Sequence, residues 1–148
     1  MNAFPLFRSK WTNEHIAAAV FIVLILYMLP QWSANPAAVF DFLYVLSIGL
    51  TIDVTANFVR YKRPVCAVSA AVTAAILYIL TPGVPLWGRL LGIIFALLVG
   101  KHFWGGAGKN IVNPAITGLL FVGLLFNLKF PAFAATFLIV PATILSLP

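Results

Sequence analysis

Only three of the 148 residues are acidic and nine are Lys or Arg, so charged side chains make up 8% of the chain. A soluble domain usually carries about 25%. Too few polar groups are present to cover a water-facing surface, and with 63% hydrophobic residues a disordered tail is equally excluded. A soluble enzyme is therefore ruled out. Cysteine is scarcer still. Cys66, alone, can form neither an intrachain disulfide nor a Cys-based iron–sulfur or zinc site, and reads as a small apolar filler. An extracellular disulfide scaffold is thus excluded as well. Lipidation, retention and twin-arginine signals are missing. No cleavable signal peptide is expected, because Trp11-Thr-Asn-Glu-His15 precedes the apolar stretch Ile16–Leu29 and Pro30-Gln-Trp-Ser33 follows it.

What is present is long apolar sequence. Crossing a bilayer takes about 20 helical residues. Six hydrophobic segments are visible, at roughly 13–30, 37–59, 64–81, 86–100, 114–127 and 131–147, separated by Pro- and Gly-containing punctuation. The expected fold is all-α and integral to the membrane, with five or six spans. The fourth and fifth segments are short, so one of them is a candidate re-entrant half-helix. A single membrane domain covers 1–148, with a cytoplasmic N-terminal segment at 1–12 and a transmembrane bundle over 13–147. Seven basic residues (Arg8, Lys10, Arg60, Lys62, Arg63, Lys101 and Lys109) fall on one side of this arrangement and two, Arg89 and Lys129, on the other. The positive-inside rule makes the richer side cytoplasmic. The net charge of +6 thus reports orientation and gives no reason to expect nucleic acid as a partner.

Few side chains carry chemistry. Asp53 lies deep in the second segment, with Asn57 and Arg60 on its helical face at i+4 and i+7. An intramembrane acid is an ion- or proton-coupling candidate; local pairing with Arg60 or snorkelling toward the membrane edge is the competing reading. His15 and His102 read as interfacial anchors, and Trp11, Trp32, Trp87 and Trp104 as an aromatic belt. No nucleophile–base–acid set and no dinucleotide fingerprint can be assembled. Any enzymatic role is that of a non-autonomous subunit.

The informative stretch is Gly100-Lys-His-Phe-Trp-Gly-Gly-Ala-Gly-Lys-Asn-Ile-Val-Asn-Pro-Ala-Ile-Thr-Gly118. Gly105, Gly106 and Gly108 let the backbone turn sharply and approach a ligand or another helix. Asn113 is a plausible N-cap with Pro114 in the first turn that follows. The amide groups at that helix start, with Lys101 and Lys109 nearby, favour an anionic or electron-rich group. A purely structural helix corner explains the same pattern.

The run from Lys101 to Ala115 resembles the Lys-x-x-aromatic-Gly-Gly-x-Gly-x-Asn-x-x-Asn-Pro-Ala signature of the NqrB/RnfD family, membrane subunits of sodium-translocating NADH:quinone reductase and of the Rnf complex. Upstream, Ser69-Ala-Ala-Val-Thr73 is similar to the family's Ser-Ala-x-x-Thr-Gly segment, with Ala74 in place of the glycine, and Thr81-Pro-Gly-Val-Pro-Leu-Trp87 resembles its proline-rich outer turn. The resemblance implies half of a urea-transporter-like bundle of inverted repeats, in a subunit that passes electrons across the bacterial inner membrane. It also implies a non-covalent flavin, FMN or riboflavin, held at Gly105, Gly106, Gly108, Asn110 and Asn113. The family's threonine segment for covalent flavin is not found, so no covalent flavin is expected. Only the first repeat is matched, which leaves the other half to a second copy, a separate chain or other subunits of a redox complex. Two further readings stay open: a half-transporter or channel that dimerises, and a cofactor-free structural subunit.

Overall fold

In the computed structural model, residues 13–62, 68–104 and 112–127 are described, and among them all regular structure is helical. Helix α1 spans Asn13–Ala34, α2 Ala37–Tyr61, α3 Val68–Leu80, α4 Leu86–Phe95 and α5 Pro114–Phe126. Beyond Phe95, α4 widens into a π-helical turn over Ala96–His102. The N-terminal segment 1–12, Cys66, the sixth hydrophobic segment and the glycines at 105, 106 and 108 lie outside the described residues, as does Asn110.

Among the described residues two helices are long and apolar enough to cross a membrane, Glu14–Ala34 with 21 residues and α2 with 25. Helices α3 and α5 have 13 residues each. At 1.5 Å per residue each reaches about 20 Å, short of a hydrocarbon core of about 30 Å. The first segment was expected to stop at Pro30, but α1 runs through it to Ala34. Proline removes one donor from the ladder without preventing the next turn when that turn finds other bonds. Here Ser33 Oγ donates to the Pro30 carbonyl at 2.8 Å and Asn35 N to the Gln31 carbonyl at 2.9 Å.

Helix α3 sits at the centre because its residues are small. Ala70, Ala74, Ala75 and Leu77 are fully buried, and the short side chains let α1, α2, α4 and α5 all approach it. Phe42, Val45, Ile93 and Leu97 close the core around it, and Trp32 packs on Phe42 with ring centroids 5.4 Å apart. The outer faces of α1 and α5 stay apolar: Val23, Leu26, Tyr27 and Leu124 are all exposed. In lipid such faces are not pushed together by water, so close backbone contact has to hold the helices. Gly118 provides it on α5. A Cβ there would lie 2.7 Å from the Ala96 Cβ and 2.8 Å from the Gly92 carbonyl oxygen.

The proline-rich turn between α3 and α4 is built by polar groups. Arg89 donates from Nε and Nη2 to the Thr81 carbonyl at 3.2 and 3.0 Å, and its guanidinium lies 4.5 Å from the Tyr78 ring centroid. Gly83 takes the left-handed conformation, φ 76°, that the turn requires. At the other end of the bundle, Glu14 Oε2 accepts from Val68 N at 3.3 Å, so the head of α1 caps the start of α3.

Candidate functional site

Asp53 is carried by α2 and is fully buried. Its Oδ1 receives Lys101 Nζ at 2.7 Å and His102 Nε2 at 2.9 Å. Its Oδ2 accepts from Asn57 Nδ2 at 3.4 Å, one helical turn on. An ionised carboxylate has no hydrogen to give, so His102 in this contact carries its proton on Nε2 and donates. Lys101 is 1% exposed, and its ammonium also donates to Ser69 Oγ at 3.0 Å. One carboxylate, one ammonium, one imidazole, an amide and a hydroxyl thus converge from α2, α3 and the π-helical turn.

The π turn is what makes the convergence work. On an α-helix, neighbouring residues point about 100° apart and cannot both meet one oxygen atom easily. The turn is closed by a bond from Phe103 N to the Leu98 carbonyl at 2.8 Å, five residues back. That wider spacing, common at functional sites, lets the consecutive Lys101 and His102 face the same carboxylate. Gly100 allows the turn to sit against α5, since a Cβ there would come within 2.8 Å of Pro114 Cα.

Three expectations are corrected. Asp53 does not snorkel: it is fully buried and its carboxylate meets Lys101 from another helix, whereas Arg60 is exposed at the end of α2. His102 is no interfacial anchor, because it is buried against Asp53. Lys101 is not a loop charge. It is enclosed in the bundle, which removes one of the seven basic residues counted for sidedness. None of these was visible in spacing, since Asp53 and Lys101 are 48 residues apart; the trace left in the sequence is that Lys101 opens the glycine-rich signature.

Asn113 behaves as its position suggested. Its Oδ1 accepts from Ala115 N at 3.0 Å, and Pro114 occupies the first turn of α5. Beside this cap lies a cavity of about 450 Å³, bounded by α1, α3, the start of α5 and the Lys101 side chain. Ser69 and Thr73 line it from α3, and Lys101, Asn113 and Ala115 from the other side. The two separated stretches that carried the resemblance therefore meet at one cavity. Of the five residues expected to hold flavin, Asn113 is the one described; Gly105, Gly106, Gly108 and Asn110 fall outside.

Residues 1–146 match the model of the NQR2, RnfD, RnfE family. The chain belongs to this family. Among its relatives, the D-type subunit of the ion-translocating oxidoreductase complex of Vibrio cholerae serotype O1 (strain O395) is 26% identical over 136 residues, 88% of this chain and 39% of that protein. Its counterpart in Haemophilus ducreyi is 28% identical over 144 residues, 90% of this chain and 41% of the relative. The B-type subunit of the Na(+)-translocating NADH-quinone reductase of Ectopseudomonas mendocina is 52% identical over 44 residues, covering 30% of this chain and 11% of that one. The chain spans about two fifths of the length of the Vibrio and Haemophilus relatives it matches. Family membership agrees with the helical structure of the described residues and the two membrane-length helices among them.

Proposed function

We propose that this chain is a membrane subunit of an ion-translocating oxidoreductase complex and that Asp53 couples ion movement to electron transfer. One observation carries the reading beyond family membership: a buried carboxylate, ammonium and imidazole sit together in a bundle with few charges. Burying such groups in an apolar bundle is costly, and they persist there chiefly where a function needs them. In this reading the chain lies in the bacterial inner membrane with its N-terminus cytoplasmic. It contributes helices to a urea-transporter-like inverted-repeat bundle and sits against other subunits of the complex.

A non-covalent flavin, FMN or riboflavin, fits the residues beside Lys101. A volume of about 450 Å³ is within the range of ring-binding pockets, which run to about 300–1,000 Å³. The lining pairs apolar Val20, Val72 and Ile76 with the polar Ser69, Lys101 and Asn113, whose amide nitrogen makes no bond among the described residues. In the proposal Asn113 and Lys101 orient the ring edge, with Gly105, Gly106, Gly108 and Asn110 completing the cradle. A bound flavin would supply one- and two-electron transfer. Lys101 would hold a hydrogen bond to a ring oxygen, and the apolar wall would keep water from it.

Two measurements test the reading on the full chain with the subunits that co-purify with it. Visible absorption before and after acid extraction is expected to reveal extractable flavin, lost on Asn110→Ala with Asn113→Ala. Ion transport in reconstituted vesicles is expected to uncouple in Asp53→Asn while electron transfer continues. Absence of flavin from the assembled complex refutes the cofactor assignment. Coupling unchanged in Asp53→Asn removes the ion-coupling role.

A further inference from the structure

The cavity beside the Asn113 cap has a wall of one sign. Among the described residues that line it Lys101 alone is charged, and Asp53, the acid paired with it, does not reach the wall. The pair is therefore oriented, with its ammonium toward the cavity and its carboxylate behind. Lys101 is 1% exposed and gives two of its three hydrogens to Asp53 Oδ1, at 2.7 Å, and Ser69 Oγ, at 3.0 Å. The third has no acceptor among the described residues and is left for a ligand. Two helix starts add to the same field. Ser69 lies in the first turn of α3, Pro114 and Ala115 in that of α5, and all three line the cavity. A helix N-terminus acts as about half a positive charge. Glu14, the acid that caps α3, is exposed and lies outside the lining.

We propose that Lys101 sets the reduction potential of the flavin site, its ammonium stabilising the reduced ring over the oxidised one. The inference rests on the flavin reading and adds which side chain tunes the cofactor and in which direction. The oxidised ring is uncharged. One electron from a one-electron donor adds a unit of negative charge to it, and no bond forms or breaks at Lys101. A fixed cation in an apolar wall therefore favours the reduced form. Asp53 limits the effect, because its carboxylate partly cancels the ammonium's field. Substitutions at the two ends of the pair should consequently move the potential in opposite directions, which a merely structural pair would not do.

Spectroelectrochemical titration with dithionite reads this on the full chain with its co-purifying subunits. The wave that belongs to the site is the one abolished by Asn110→Ala with Asn113→Ala. Lys101→Met is expected to weaken the preference for reduced flavin about tenfold, the low end for a hydrogen bond from a charged donor. That lowers the midpoint by about 59 mV for one electron. Lys101→Arg keeps the charge and is expected to stay near the wild type. Asp53→Asn is expected to strengthen the same preference about threefold, less than the lysine effect because the carboxylate lies behind the ammonium.

A midpoint that is unmoved or raised in Lys101→Met overturns the proposal, as does an equal fall in Lys101→Met and Lys101→Arg. If Lys101→Met does not assemble, Asp53→Asn decides, and a midpoint that fails to rise there overturns it too. The absence of any wave abolished by the asparagine pair refutes the flavin reading itself. A wave that is present but indifferent to Lys101 refutes this inference alone.

Discussion

Replacing Lys101 by Met tests the buried cluster most directly. The substitution keeps an unbranched apolar stem and removes the ammonium from a carboxylate that is fully buried. Truncating one partner of a buried ion pair costs about 3–5 kcal/mol. The lower end applies here, because Asp53 keeps the His102 and Asn57 contacts. Asp53→Leu is the more damaging change. It strands Lys101 on Ser69 alone and leaves the His102 Nε2 hydrogen without this acceptor, so the upper end applies. The double variant removes both charges and restores apolar packing, leaving chiefly the imidazole donor unmet, at about 1–3 kcal/mol. It should therefore be more stable than Asp53→Leu alone. For a chain of this size about 1 kcal/mol moves a melting midpoint by roughly 2–4 °C, so Lys101→Met is expected to lose about 6–12 °C and the double variant to recover part of the Asp53→Leu loss. Fluorescence size-exclusion of the tagged full chain, extracted after heating, gives these midpoints. Losses that simply add in the double variant would show that the two residues do not share an interaction, and the account of the site would fail.

Further substitutions probe the frame around it. Gly118→Val should cost about 1–3 kcal/mol by forcing α5 away from Ala96 and Gly92, read in the same heating assay. Gly83→Ala meets no neighbouring atom, so its expected loss, about 1–2 kcal/mol, comes from the left-handed backbone alone. Asn113→Ala should lose about 1 kcal/mol through the missing cap on α5, and Asn113→Ser should restore most of it. Arg89→Lys should cost about 1–2 kcal/mol, because an ammonium cannot reproduce the paired bonds to the Thr81 carbonyl and stacks less well on Tyr78.

The all-helical architecture was legible in composition, since residues with so few charges must satisfy their backbone within helices once water is absent. The Asn113 cap and the short fifth segment were legible for a local reason, since both depend on residues within one or two turns of each other, whereas the fourth runs on through the π turn to His102 and the shortness of α3 was not foreseen. The end of α1 was misplaced because a proline removes one donor from the ladder while the following turn can still close, here through Asn35 N and Ser33 Oγ. His102 misled for the opposite reason. Read along the chain it has no carboxylate in reach, while in space it touches one 49 residues away.

By itself the sequence determined that the chain is a helical membrane protein, which family signature it carries, and that Asp53 is its one deeply placed acid. Those properties are set by residue type and short-range order. Only the tertiary structure decided what Asp53 faces. The π turn after Phe95 brings Lys101 and His102 onto one carboxylate oxygen, and the small residues of α3 let Ser69 approach the same ammonium. Neither step follows from spacing, because helix packing in an apolar solvent is fixed by close fit between surfaces far apart in the chain.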